Sequence, residues 1–179
     1  EYFKNPKETA AAFTDDGYFR TGDIGEWTPQ GHIRLVDRKK NLIKTLNGEY
    51  IAIEKLESIY RSNPYILNIC VYADESRVKP IAIIVPNQAP VEKLAKELNV
   101  EPHEDISHDP VVMEAIQKSI VETGKSNGLK GIELILGVII SHVEWSPHNG
   151  FLTSAQKLER RKILENNKEA ITKLYDSAS

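Results

Sequence analysis

The chain has 179 residues, 40% of them hydrophobic and 27% charged, enough apolar material for one domain or a small pair. Lys and Arg number 23 against 26 Asp and Glu, a net charge of -3 that offers no broad positive field and argues against nucleic acid as a partner. The longest apolar runs, 81–85 and 134–140, fall far short of the ~20 residues that a membrane-spanning helix needs, so no transmembrane segment is expected.

In chain order, the first residues, EYFKNPKETAAAF, lack an initiator Met and a signal-peptide arrangement, so the chain reads as starting inside something longer. Asp15-Asp16-Gly17 signals a turn before an extended stretch at 18–27. Thr28-Pro29-Gln30-Gly31 then closes a hairpin onto a return strand at 32–36. After the basic cluster Arg38-Lys39-Lys40, a second hairpin is predicted from residue 41 to residue 51, turning at Asn47-Gly48 as a type I′ pair. Ile53, Leu56, Ile59 and Tyr60 then recur at helical spacing up to Asn63-Pro64.

Two strand-like runs follow at 66–73 and 80–86, then a helix carrying Val91, Leu94, Ala95 and Leu98 on one face, with Pro90 in its first turn. Asp109-Pro110 opens a second helix as cap and first residue, with Val112, Ile116 and Ile120 facing inward and an end before Asn127-Gly128. A further strand is predicted over 134–145 and a charged surface helix, continuous or broken, over 154–175. The class is α+β: antiparallel hairpins and a small mixed sheet flanked by helices.

Most site-like patterns dissolve on inspection. Gly124-Lys125-Ser126 imitates the end of a phosphate loop, but Ser119 stands where the first Gly belongs and a helix precedes it instead of a strand. His103, Glu104, Asp105 and His108 could ligate a metal, yet a polar loop without a second cluster reads as solvated, and no metal site is assigned. Cys70, the sole cysteine, lies in the apolar run ILNICVY, which excludes an internal disulfide and reads as a buried thiol in a reducing, intracellular compartment.

Three segments carry more. GYFRTGD sets flexible Gly22 beside Asp23, whose two carboxylate oxygens suit a vicinal diol. VDRKKNLIKTLNGEYIA crowds Arg38, Lys39, Lys40 and Lys44 next to Asp37 between two hairpins. GFLTSAQKLERR places Lys157 just after Thr153 and Ser154, either of which could cap the terminal helix; a cation there gains nothing from the helix dipole and so is a candidate for an anion partner.

In that order and spacing, the three segments resemble the adenylate-forming superfamily of acyl-CoA synthetases, firefly-type luciferases and peptide-synthetase adenylation domains. DRKKNLIK with GEYIAIEKLE looks most like long-chain fatty acyl-CoA synthetases of the fungal kind. The resemblance implies roles residue by residue. Asp23 would hold the ribose hydroxyls of ATP and of the acyl-adenylate. Asp37, Arg38, Lys39 and Lys40 would form a hinge, with Arg38, Lys40 and Lys44 contacting ribose or phosphate. Gly48 would let its hairpin pack close to the pantetheine arm of CoA. Lys157 would be catalytic in the first half-reaction, stabilising charge as the fatty carboxylate attacks the α-phosphate.

The family's common Pro-x-Thr-x-x-Gly-Lys ending is here LTSAQK, without the Pro and with Gln156 in place of the Gly. Neither a phosphate loop nor an aromatic-Gly-x-Thr-Glu segment is present in the sequence. The resemblance therefore implies a C-terminal portion: 1–37 as the tail of a large N-terminal domain and 38–179 as a mobile C-terminal domain. ATP, Mg2+, CoA and a long-chain fatty acid belong to the full enzyme, with its N-terminal domain as partner and peripheral membrane association at endoplasmic reticulum or lipid droplets. The 179-residue chain alone is expected to be inactive. Alternatives are another adenylate-forming ligase (medium-chain, luciferase-like or amino-acid-activating) or a free-standing α+β interaction module.

Overall fold

The computed structural model describes residues 2–178, and the chain divides into two compact units, Glu1–Leu42 and Ile43–Ser179. In the first unit, α1 (Pro6–Ala11) begins where Asn5 Oδ1 accepts the Glu8 amide and Pro6 supplies a preset backbone angle. Two strands, β1 (Asp23–Trp27) and β2 (Ile33–Arg38), pair antiparallel from Asp23↔Arg38 to Trp27↔Ile33, with a register shift at Ile24/Gly25. The return strand is thus longer than sequence patterning predicts and carries Asp37 and Arg38 within it. A 3₁₀ turn, Lys39–Asn41, follows.

A small hairpin, β3 (Leu42–Lys44) and β4 (Tyr50–Ala52), starts at the boundary residue Leu42 and leads directly into α2 (Ile53–Tyr60) of the second unit. Asn47 does not take a left-handed angle, so the turn is not type I′. Instead the Gly48 amide donates to the Thr45 carbonyl (2.8 Å), the Thr45 amide to the Glu49 carbonyl (2.8 Å), and Gly48 alone sits at φ +82°. That is a three-residue loop closed by one left-handed residue. The same backbone pattern recurs at Thr14–Tyr18, Thr28–His32 and Thr153–Lys157. Gly17 and Gly31 hold the left-handed position in the first two, and Gln156 holds it in the third, at φ +59°.

A three-stranded sheet forms the centre of this unit: β5 (Ile66–Tyr72) pairs antiparallel with β6 (Ile81–Pro86), which pairs in parallel with β7 (Val138–Ile140). Between β6 and β7 run α3 (Gln88–Glu97) and α4 (Pro110–Ser126), the latter capped as expected by Asp109, which accepts the Val111 and Val112 amides. After β7 come α5 (Arg160–Asn166) and α6 (Lys168–Ser177).

Alternation along the strands builds two cores, one on each face. Ile69, Val71, Ala82 and Ile84 join the cluster containing Leu56 and Tyr60 of α2, Val91 of α3, and Val112, Ile116 and Ile120 of α4. Cys70, Ile81, Ile83 and Val85 face the cluster containing Trp145, Phe151, Leu152, Ile163 and Tyr175. The sheet is therefore buried on both faces, which explains why its strands read as continuous apolar runs.

Two predicted elements are shorter than expected. Only Val138–Ile140 of the 134–145 segment is strand: a 3₁₀ turn at Gly131–Glu133 precedes it, and beyond it Ser141 Oγ donates to the Val143 carbonyl and folds the chain away. The segment 154–175 is not one helix. Residues 153–157 form the tight turn just described, with Leu152 bridged to Leu158, and helix begins at Arg160. It breaks at Asn167, whose side chain donates back to the Ile163 carbonyl (2.8 Å). Gly124-Lys125-Ser126 ends α4. A Cβ on Gly124 would come within 2.8 Å of the Tyr60 hydroxyl, so this glycine makes room for an aromatic ring and has nothing to do with phosphate.

Candidate functional site

In the first unit the strand register sets Asp23 opposite Arg38, and Arg38 Nε reaches Asp23 Oδ1 at 3.1 Å. Arg38 thus orients the carboxylate expected to receive a diol. Thr21 Oγ1 accepts the Asp23 amide (3.2 Å), and Gly22, at φ +77°, lets its carbonyl receive the Lys39 amide (2.8 Å). Asp37 Oδ1 accepts the Arg38 amide (2.6 Å) and the Asn41 side-chain amide (3.3 Å), which ties the end of β2 to the 3₁₀ turn carrying Lys39 and Lys40. A surface cleft of about 700 Å³ is lined by Thr21 and Gly22 together with Arg20, Arg38, Lys39 and Lys40. Four cations against one acid, Glu8, around one cleft suit an anionic ligand, with Arg able to make bidentate contacts and Lys point-charge contacts.

In the second unit Lys44 and Gly48 share the first hairpin, both exposed, and a Cβ on Gly48 would touch only the Lys44 side chain, at 3.9 Å. The backbone at Gly48 is therefore open to close approach. Lys157 lies at the end of its own tight turn, not at a helix N-terminus as sequence reading expects. Its amide donates to Thr153 Oγ1 (3.1 Å), and the Thr153 amide donates to its carbonyl (2.8 Å). The backbone is held on both sides while the side chain is exposed, and among the described residues its ammonium has neither an ion-pair nor a hydrogen-bond partner.

What holds that turn in place is a pair that sequence reasoning missed. Arg160, three residues on, donates from Nη1 and Nη2 to Glu57 Oε1 and Oε2 at 2.7 and 2.6 Å, and Glu57 Oε1 also accepts the Val71 amide at 2.7 Å. Glu57 is 5% exposed. Burial alone would lower the guanidinium's proton affinity, but the hydrogen bonds and charge of Glu57 outweigh it and raise the Arg160 pKa. Arg160 Nη1 also reaches Cys70 Sγ at 3.7 Å. Burial pushes the Cys70 thiol up to about 12, so it stays protonated and unreactive, as a buried cysteine should. The missed signal was legible: Glu57 occupies an inward position of α2 beside Leu56, where a charge needs a partner.

No protein-family model matches the chain. Among curated proteins it is 59% identical over 179 residues to long-chain-fatty-acid–CoA ligase 4 of Saccharomyces cerevisiae, covering 98% of this chain and 26% of that protein. It is 49% identical over 178 residues to long-chain-fatty-acid–CoA ligase 1 of Schizosaccharomyces pombe, covering 97% of this chain and 26% of that protein. Among solved structures it resembles the A domain of carboxylic acid reductase from Segniliparus rugosus, in complex with AMP and a co-purified carboxylic acid. There the TM-score is 0.82 and the identity 30%, covering 99% of this chain and 26% of the other. The chain thus spans about a quarter of the length of the proteins it matches. At this identity along nearly its whole length, it belongs to the long-chain fatty acid–CoA ligases of the adenylate-forming superfamily, as a segment of that larger enzyme.

Proposed function

We propose that this chain is the mobile, lysine-bearing portion of an ATP-dependent long-chain fatty acid–CoA ligase. In the first half-reaction a fatty carboxylate oxygen attacks the α-phosphorus of ATP, the bond to pyrophosphate breaks, and an acyl-adenylate forms. In the second, the CoA sulfur attacks the acyl carbon, its proton is lost, and AMP leaves. Lys157 stabilises the negative charge that builds on the phosphoryl oxygens in the first step. Asp23, oriented by Arg38, accepts hydrogen bonds from the ribose diol. Lys40 and Lys44 add point charges for the nucleotide, and Gly48 gives the pantetheine arm an open backbone in the second step. The segment from Asp37 to Lys40 is the hinge between the two arrangements, so that one site serves both reactions.

The observation that carries this reading is Lys157, exposed and, among the described residues, unpartnered, on a turn anchored by an ion pair whose carboxylate is buried, in a chain so similar to long-chain ligases. The exposed faces of Trp27, Ile33 and Leu35 on β1 and β2 also fit burial against the rest of a longer protein. Asp23, the nucleotide-side carboxylate, is paired with Arg38 and does not make a Mg2+ site with the other residues assigned here. No helix among the described residues is long and apolar enough to cross a membrane; we place the intact enzyme inside the cell and peripherally at membranes, where fatty acids partition. The test is direct. An intact polypeptide carrying this segment should form acyl-CoA from long-chain fatty acid, ATP and CoA, while the 179-residue chain alone should form none. Acyl-CoA formation by the chain alone, or activation only of amino acids or short acids by the intact polypeptide, would contradict the proposal.

A further inference from the structure

The sequence places His108 in a polar loop with His103, Glu104 and Asp105 and without a second cluster, but the fold brings in a further group from elsewhere. His142 follows β7, and its ring lies parallel to that of His108, centroids 3.9 Å apart and planes 3° from coincidence. One donor atom from each of Asp105, His108 and His142 lies within 4.8 Å of the others. They line a cleft of about 400 Å³ at the ends of β6 and β7, with Glu104 and Glu144 also on its wall.

The hydrogen bonding of His108 is the informative part. Its Nδ1 lies 2.6 Å from Asp105 Oδ1 and its Nε2 lies 3.2 Å from the Ile140 carbonyl oxygen. Both neighbours are acceptors, and a neutral imidazole has only one N–H to give. Either a second ring proton or a metal ion meets both acceptors; with Nε2–H on the carbonyl, a metal bound about 2 Å from Nδ1 and from the carboxylate requires the Asp105 side chain to open from its 2.6 Å contact to roughly 3 Å, a small rotation for an exposed residue. His142 is exposed, and among the described residues no hydrogen bond or ion pair holds its ring, so a change of rotamer delivers a second imidazole nitrogen to the same cation at little cost. Two imidazoles and a carboxylate form a donor set suited to Zn2+, Co2+ or Ni2+ rather than to Mg2+ or Ca2+. The cleft leaves room for water or a neighbouring carboxylate at the remaining position.

We propose that Asp105, His108 and His142 bind one divalent transition-metal ion, which staples the 3₁₀ turn Ile106–His108 to the end of β7. His103, though close in sequence, belongs elsewhere, its Nε2 lying 3.8 Å from Asp109. Titration of the untagged chain with Zn2+ followed by calorimetry, and with Co2+ followed by its visible absorption, tests the site. One equivalent should bind, His108→Ala and His142→Ala should each weaken binding at least ten-fold, and His103→Ala should leave it unchanged. Because His142 is exposed, His142→Ala retains the fold, and an unchanged circular dichroism spectrum checks this. The absence of saturable binding, or equal affinity of the parent chain and His142→Ala, would overturn the proposal.

Discussion

Arg160 and Glu57 meet through two hydrogen bonds of 2.7 and 2.6 Å, joining the start of α5 to α2 across a large sequence separation. The pair fixes the turn bearing Lys157 to the sheet, because Glu57 also holds the Val71 amide of β5. Removing one partner of a mostly buried pair leaves the other charge and an amide unmet, at a cost of about 3 kcal/mol. Glu57→Ala and Arg160→Ala should each lower the urea midpoint by a corresponding amount, and the double variant should lose clearly less than the sum. Additive losses would mean that the two side chains act independently.

The turn itself carries measurable strain. Gln156 sits at φ +59° where the equivalent turns use glycine. An L-residue pays about 1–2 kcal/mol in that region, and glycine's greater chain entropy recovers only part of it. Gln156→Gly is therefore expected to stabilise the chain by about 0.5–1 kcal/mol, read as a higher midpoint in thermal or urea unfolding.

Gly124 gives the opposite sign. Its added Cβ would lie 2.8 Å from the Tyr60 hydroxyl and 2.9 Å from Tyr60 Cε1, and that hydroxyl accepts the Ile135 amide (3.2 Å) and donates to the Glu133 carbonyl (3.1 Å). Gly124→Ala must displace a buried ring that is hydrogen-bonded at its tip. The expected loss is about 1–3 kcal/mol, despite the better helix propensity of alanine.

Cys70 makes a pH prediction. Burial raises its folded-state pKa to about 12 from its ordinary value of 9.0. Between those two values the unfolded chain releases a proton that the folded chain keeps, so unfolding becomes easier as pH rises. Stability should decline above about pH 9 through this group, and Cys70→Ala should flatten the decline. At neutral pH, thiol-reactive reagents should label Cys70 only as fast as the protein opens.

The elements most legible in the sequence were those whose signals are local. Asp109-Pro110 marked α4, and the spacing of Ile53, Leu56 and Tyr60 marked α2, because capping and helical periodicity are written in adjacent residues. Segment 154–175 misled because charged residues at helical spacing look alike whether or not a turn precedes them. Only the backbone bonds of Thr153 and the left-handed Gln156 delay the helix to Arg160. Asp23, Arg38 and Lys157 stand as candidates on motif and spacing. The inward place of Glu57 on α2 signals that it needs a partner but not that the partner is Arg160, and nothing local signals His142, since both partners arrive from distant parts of the chain once the sheet has formed.

Lys157 holds the central role proposed for this chain. In the intact ligase carrying this segment, Lys157→Ala should slow formation of acyl-adenylate, followed as fatty-acid-dependent pyrophosphate release, by two orders of magnitude or more, the order of ~3 kcal/mol of lost transition-state stabilisation. Transfer of the acyl group to CoA from supplied acyl-adenylate should change far less. Equal loss in both half-reactions, or no loss in the first, would contradict the role assigned to this lysine and with it the mechanism proposed for the domain.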